Sequence, residues 1–170
     1  KKIIIMINKR KFYINGKWVE PSKSNDLDVI NPSNEEAFAV ISLGSQEDTN
    51  SAVEAAKNSF TNWKETSKEE RINLLEKLLK VYKKRFNEMA DAMSLEMGSP
   101  IDFATSTHAA SGQAHLEDFI LRLKKFEFEK YFDSKSNNYI AREPIGICGL
   151  ITPWNWPINQ IALKVIPALA

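Results

Sequence analysis

The chain has 170 residues, 43% of them hydrophobic and 26% charged, with 23 lysines and arginines against 22 aspartates and glutamates. This length suits one domain or the leading part of a larger protein, and the plentiful apolar residues exclude a disordered chain. A net charge of +1 gives no field for nucleic acid, and no run reaches the roughly 20 apolar residues of a membrane span.

The start, Lys1-Lys2-Ile3-Ile4-Ile5-Met6-Ile7, reads as a basic stretch before a short apolar core. Asn8-Lys9-Arg10-Lys11 follows with no small-residue cleavage site, which argues against a signal peptide. Phe12 to Val19 alternates around Asn15-Gly16, the strongest short hairpin signal. Pro21 to Asn25 is a loop, Asp28-Val29-Ile30 a strand stopped by Asn31-Pro32, and Ala37 to Leu43 a further strand ending at Gly44.

Helices follow. Ser45 caps a segment from Gln46 to Trp63, with Ala52, Val53, Ala56 and Phe60 at helical spacing. Ser67 and Glu70 form a capping box ahead of the stripe Ile72, Leu75, Leu78, Leu79 and Tyr82. Phe86, Met89, Ala90, Met93 and Met97 continue an apolar stripe as core residues, and Gly98 before Ser99-Pro100 is a C-terminal stop. A third helical stretch, roughly Ile101 to Leu123, is poorer in apolar residues.

Beyond the polar loop Asp133 to Asn138, Ile145 to Ile151 is apolar on both faces, the pattern of a strand buried in a parallel sheet. Such a strand needs neighbours. Either the short N-terminal strands supply them or further polypeptide does, and the second is the expectation. Pro157 to Ala170 is a helix with proline at its first position.

The chemistry concentrates at Thr152-Pro153-Trp154-Asn155-Trp156-Pro157-Ile158. This is where the strand would end and the helix begin, and ligands of open α/β sheets bind outside the carboxyl ends of strands. Asn155 is neither acid nor base, but its amide can donate to an oxygen that becomes negative. Pro153 and Pro157 restrain Thr152 and Trp156 to extended geometry, which would hold it in place. The alternative is an ordinary helix cap.

Trp156, Asn159, Gln160 and Leu163 share one helix face, either a polar-lined cavity or a solvated edge, with the cation Lys164 beside them. Cys148, the single cysteine, excludes an internal disulfide, fits a reducing, cytoplasmic setting, and reads as an inert thiol buried in the strand. His108 and His115 are too far apart for a close metal pair and read as surface or pocket-rim residues; no metal site is expected.

Glu143-Pro144-Ile145-Gly146-Ile147-Cys148-Gly149-Leu150-Ile151-Thr152-Pro153-Trp154-Asn155-Trp156-Pro157 resembles a block of the aldehyde dehydrogenase superfamily, E-P-x-G-V-x-G-x-I-x-P-W-N-[FW]-P. Weaker features agree in order: the Ile14-Asn15-Gly16-Lys17-Trp18 hairpin, Asn31-Pro32, Val53-Glu54-Ala55-Ala56, Glu70-Arg71, and the Glu96-Met97-Gly98-Ser99-Pro100 turn.

The resemblance implies an α/β fold, the N-terminal part of that family's. Residues 1–137 would be the hairpin and helical part of the cofactor-binding domain, and 138–144 a strand joining the oligomerisation region. Residues 145–170 would be the first strand-helix unit of a Rossmann-like core whose sheet is incomplete in this chain. It also implies oxidation of an aldehyde to a carboxylic acid with NAD or NADP, through a cysteine thiohemiacetal and thioester.

Asn155 resembles the oxyanion-hole asparagine. Ile151, Thr152, Pro153 and Trp154 resemble the lining of the nicotinamide-ribose cleft. Trp156, Asn159, Gln160 and Leu163 fall on the face that lines the aldehyde tunnel, and Lys164 matches a lysine common behind the active site. The implied partners are a small aldehyde and the nicotinamide cofactor, with no nucleic acid or membrane, in a homodimer or homotetramer at full length.

The family's nucleophilic cysteine and glutamate base have no counterpart in these 170 residues, so the chain alone is expected to be inactive. A truncated, non-catalytic homologue acting as an interaction or remnant protein is the competing expectation. An unrelated helical binding module is a remote third.

Overall fold

The structure is a computed structural model describing residues 6–133, 135 and 137–170. The basic-apolar start at residues 1–5 and two positions of the polar loop lie outside the described residues.

Strand β1 (Ile7–Lys9) lies where the sequence suggested the end of an apolar core. It pairs in parallel with β5 (Glu36–Ser42), whose other edge carries β4 (Asp26–Asn31) antiparallel. The β4 register shifts between Val29 and Ile30, and Ala39 and Val40 of β5 are buried. Between them, β2 (Phe12–Ile14) and β3 (Lys17–Val19) form the expected hairpin. Asn15 and Gly16, at φ +52° and +73°, take the left-handed turn that Asn-Gly permits at least cost.

Helix α1 (Gln46–Trp63) starts on Ser45. Asp48 extends that cap into a reciprocal box and accepts a further bond from the Ser22 N–H at 2.8 Å. Helix α2 (Lys68–Lys84) opens on the Ser67–Glu70 box. The backbone N–H of Ser45 holds the Asp48 carboxyl below its ordinary range, and that of Ser67 does the same for Glu70. The chain breaks at Arg85 and resumes as α3 (Phe86–Met97), which Gly98 stops at φ +64°. A Cβ there would also stand 3.0 Å from Ser33 Oγ, so glycine serves both the turn and its packing.

The third helical stretch is not uniform. It runs as α4 (Ile101–Phe103), a π-helical segment (Ala104–Ala109) and α5 (Ala110–Lys125). Three hydroxyls donate to carbonyls in and beside this widened stretch. Thr105 Oγ1 donates to Ile101 O at 2.7 Å, Ser111 Oγ to His108 O at 2.7 Å, and Tyr82 Oη to Ala109 O at 2.8 Å.

Helix α5 is the centre of the helical core despite its modest apolar content. Ile72 and Leu75 of α2, Leu116, Ile120 and Leu123 of α5, and Ala162 and Ile166 of α6 (Pro157–Leu169) form one buried cluster. Leu78 stands exposed outside it, and the apolar face of α1 is only partly covered. A short hairpin of β6 (Glu129–Tyr131) and β7 (Tyr139–Ala141) precedes the last segment; β6 had no sequence signal.

The largest difference from the sequence reading is at Ile145 to Ile151. It forms no strand, and Ile145 and Ile151 are 92% and 87% exposed. Two-face apolarity specifies a strand only when other strands flank it, and none of the described residues pairs with this one. Cys148 is accordingly exposed rather than buried.

Candidate functional site

The extended run from β7 delivers residues 151–155 to the start of α6, and all five are exposed. Asn155 does not cap that helix. The N-cap is Trp156, which makes no side-chain cap. Among the described residues the Asn155 amide has no protein partner, so its donors are uncommitted.

Trp156 is not extended, as the following proline suggested, but left-handed at φ +55° and ψ +55°. A non-glycine residue there stores strain of about 1–3 kcal/mol, which the surroundings must offset. They do so with aromatic packing. The His108 ring lies 5.0 Å from that of Trp156, and Phe103 contacts both, at 5.1 Å from His108 and 6.4 Å from Trp156. Trp156 O also accepts from Gln160 N at 3.1 Å, the first hydrogen bond of α6. The residue beside Asn155 is therefore fixed from beneath by the π-helical segment.

His108 is 4% exposed, which overturns its reading as a surface or rim residue. Its Nε2 lies 3.3 Å from Ser99 Oγ, and its Nδ1 is buried with no partner. His115 is half-buried, with Nε2 at 2.7 Å from Asn159 Oδ1. The sequence set both histidines aside as surface or rim residues, because the pattern that marks them is contact with α6 rather than spacing along their own helix. Among the described residues no cluster of His, Cys, Asp and Glu could hold a metal.

Thr152, Pro153 and Trp154 line an open cleft of about 410 Å³ together with Glu96, Met97, Pro157 and Ile161. Three residues of the sequence-derived cofactor set thus share one cavity wall; Ile151 lies outside it. The cleft offers the flat apolar faces of Pro153 and Trp154 beside the polar groups of Thr152 and Glu96.

Trp156, Asn159, Gln160 and Leu163 do not line this cleft. They lie around another flank of α6, where Asn159 meets α5 and Leu163 faces outward. Residue 161 is about 100° around the helix from residue 160, so the two sets occupy adjacent sectors of α6. Lys164 is half-buried between them.

A sequence profile described as the aldehyde dehydrogenase family matches residues 18–170. A 3-succinoylsemialdehyde-pyridine dehydrogenase of a Pseudomonas species is 43% identical over 162 residues, which are 95% of this chain and 33% of that protein. A crystal structure of an aldehyde dehydrogenase from Bartonella henselae superimposes with a TM-score of 0.94 at 52% identity, over 96% of this chain and 35% of that one. Aldehyde dehydrogenase C from Pseudomonas syringae, a cysteine-to-alanine variant in complex with NAD+ and octanal, gives 0.89 at 38% identity, over 94% and 32%. The chain spans about a third of the length of the curated relatives it matches.

Proposed function

The chain belongs to the aldehyde dehydrogenase family, and from that premise we propose that it supplies the oxyanion donor and two active-site walls of an NAD- or NADP-dependent aldehyde oxidation. The observation that carries the proposal is the uncommitted amide of Asn155 at the head of α6, beside a backbone position held by His108 and Phe103.

When a thiolate adds to the aldehyde carbon, the carbonyl oxygen gains negative charge. Asn155 donates N–H groups to that oxygen, and their value depends on being in place before charge develops. The packed Trp156 holds the backbone next to Asn155, which supports that placement. Thr152, Pro153 and Trp154 form the wall against the nicotinamide-ribose part of the cofactor, in one cleft with Glu96 and Ile161, and Ile151 leads into that wall from outside the cleft. The bound cofactor supplies the acceptor for hydride.

Trp156, Asn159, Gln160 and Leu163 form the wall of the aldehyde tunnel on the neighbouring sector of α6, so substrate and cofactor approach the head of the helix from adjacent sides. Asn159 and Gln160 favour a polar aldehyde over a long alkyl one. The cysteine nucleophile and glutamate base come from other parts of the protein, and Cys148 takes no part in the chemistry. The hairpin of β6 and β7 lies in the region that joins subunits into a dimer or tetramer.

The proposal predicts that the complete protein reduces NAD+ or NADP+ in an aldehyde-dependent, saturable reaction. No reduction of either cofactor across polar and alkyl aldehydes would sink it and favour a non-catalytic homologue.

A further inference from the structure

We propose that His115 determines substrate preference by fixing the Asn159 amide, so that its N–H groups face an acceptor oxygen on the aldehyde's own chain. The inference rests on the placement of Asn159 in the aldehyde tunnel argued above.

His115 sits on α5 and Asn159 on the first turn of α6, and their 2.7 Å contact joins His115 Nε2 to Asn159 Oδ1. An amide oxygen can only accept, so the imidazole nitrogen donates. With its oxygen engaged, Asn159 has only the two Nδ2–H donors left to offer. Among the described residues Nδ2 has no protein partner, and it is not one of the buried polar atoms left without one, a condition found only at His108 Nδ1. The donors are therefore open to an incoming group.

The geometry is set by the core rather than by two mobile surface chains. Gly112, one turn before His115, lets the helices approach so closely that a Cβ there would stand 2.8 Å from Ile158 Cγ1. Ala162, one turn after Ile158, is buried against α5 in the central cluster. The relative position of α5 and α6 fixes the hydrogen bond, and the hydrogen bond fixes the amide.

A wall presenting donors without an acceptor discriminates in one direction. An aldehyde bearing a carbonyl or carboxylate oxygen pairs with the donors, whereas an alkyl aldehyde displaces their water and leaves them unpaired. The substrate class is therefore an oxo- or carboxy-aldehyde.

The test uses the full-length enzyme and a pair of near-isosteric probes, levulinaldehyde and isohexanal, which differ by a ketone oxygen against a methyl group. His115→Leu should lower the ratio of their kcat/KM values about tenfold, through KM for levulinaldehyde. His115→Gln, which keeps a donor, should retain most of the ratio. Asn159→Leu should lower it as far, with no further loss in the double variant.

An unchanged ratio in His115→Leu would overturn the inference, as would an equal loss for both aldehydes that His115→Gln fails to restore. If His115→Leu does not fold, Asn159→Leu decides on the same ratio, and no change there overturns the inference. A wild-type enzyme that oxidises other aldehydes but neither of these overturns this inference alone, and one that oxidises no aldehyde refutes the proposed reaction and this inference with it. One that oxidises both, with a ratio indifferent to His115, refutes this inference alone.

Discussion

Tyr82 joins two parts of the structure through one hydroxyl. It reaches from α2 to the carbonyl of Ala109, the last residue of the π-helical segment, and burial pushes its ionisation up to about 12. The sign follows from linkage. Below the ordinary value of about 10 the phenol is neutral in both folded and unfolded chains. Between about 10 and about 12 only the unfolded chain ionises, so stability falls across that window. Tyr82→Phe should flatten the fall in urea midpoint between those pH values. It should also lower the midpoint at neutral pH, because the Ala109 carbonyl loses its donor at a cost of about 1–3 kcal/mol. An alkaline profile identical to wild type would show that Tyr82 is not the group responsible.

At the same scale, some of the site was legible and some was not. Asn155 could be singled out from Pro-Trp-Asn-Trp-Pro, since the donor chemistry belongs to its side chain. The left-handed Trp156 could not, because a following proline disfavours the right-handed region and points to extended backbone. What selects the left-handed state is packing on His108 and Phe103, residues about fifty positions earlier in the chain. The burial of His108 was hidden for the same reason.

Elements with local causes were read well. The Asn-Gly hairpin, the two N-terminal caps and the Gly98 stop each depend on a few consecutive residues, and each formed where the residues dictate. The π-helical segment was missed because it alters the period only over Ala104–Ala109. The strand expected at Ile145 to Ile151 failed differently, since its apolar pattern describes an environment the described residues do not provide.

Gly112 gives a prediction at this scale. Replacing a helical glycine by alanine ordinarily gains up to about 1 kcal/mol from propensity. Here the new methyl would meet Tyr82 Oη at 2.5 Å and Ile158 Cγ1 at 2.8 Å. Overpacking of that kind costs about 1–3 kcal/mol, so the sign should reverse. Gly112→Ala should lower the urea midpoint, and a raised midpoint would mean that α5 and α6 separate freely.

Across the whole molecule, β1, β5 and β4 form one mixed sheet and α2, α5 and α6 share one buried cluster, while residues 142–156 between β7 and α6 form neither helix nor strand. This division matches a chain that covers about a third of its relatives. The α/β class and family were legible because the Pro-Trp-Asn block and the ordered weaker motifs run along nearly the whole chain. The proposed division of α6 into a cofactor side and a substrate side was only half legible. Periodicity grouped Trp156, Asn159, Gln160 and Leu163, but it could not bring Glu96 and Met97 to the opposite flank beside Ile161.

The central claim is that Asn155 stabilises the oxyanion. Its most direct test is the kcat of Asn155→Ala in the full-length enzyme, at saturating aldehyde and cofactor. Loss of one such donor should reduce kcat by about 100- to 1,000-fold while cofactor affinity is retained. A kcat within a few-fold of wild type would contradict the account and leave Asn155 as part of the turn into α6.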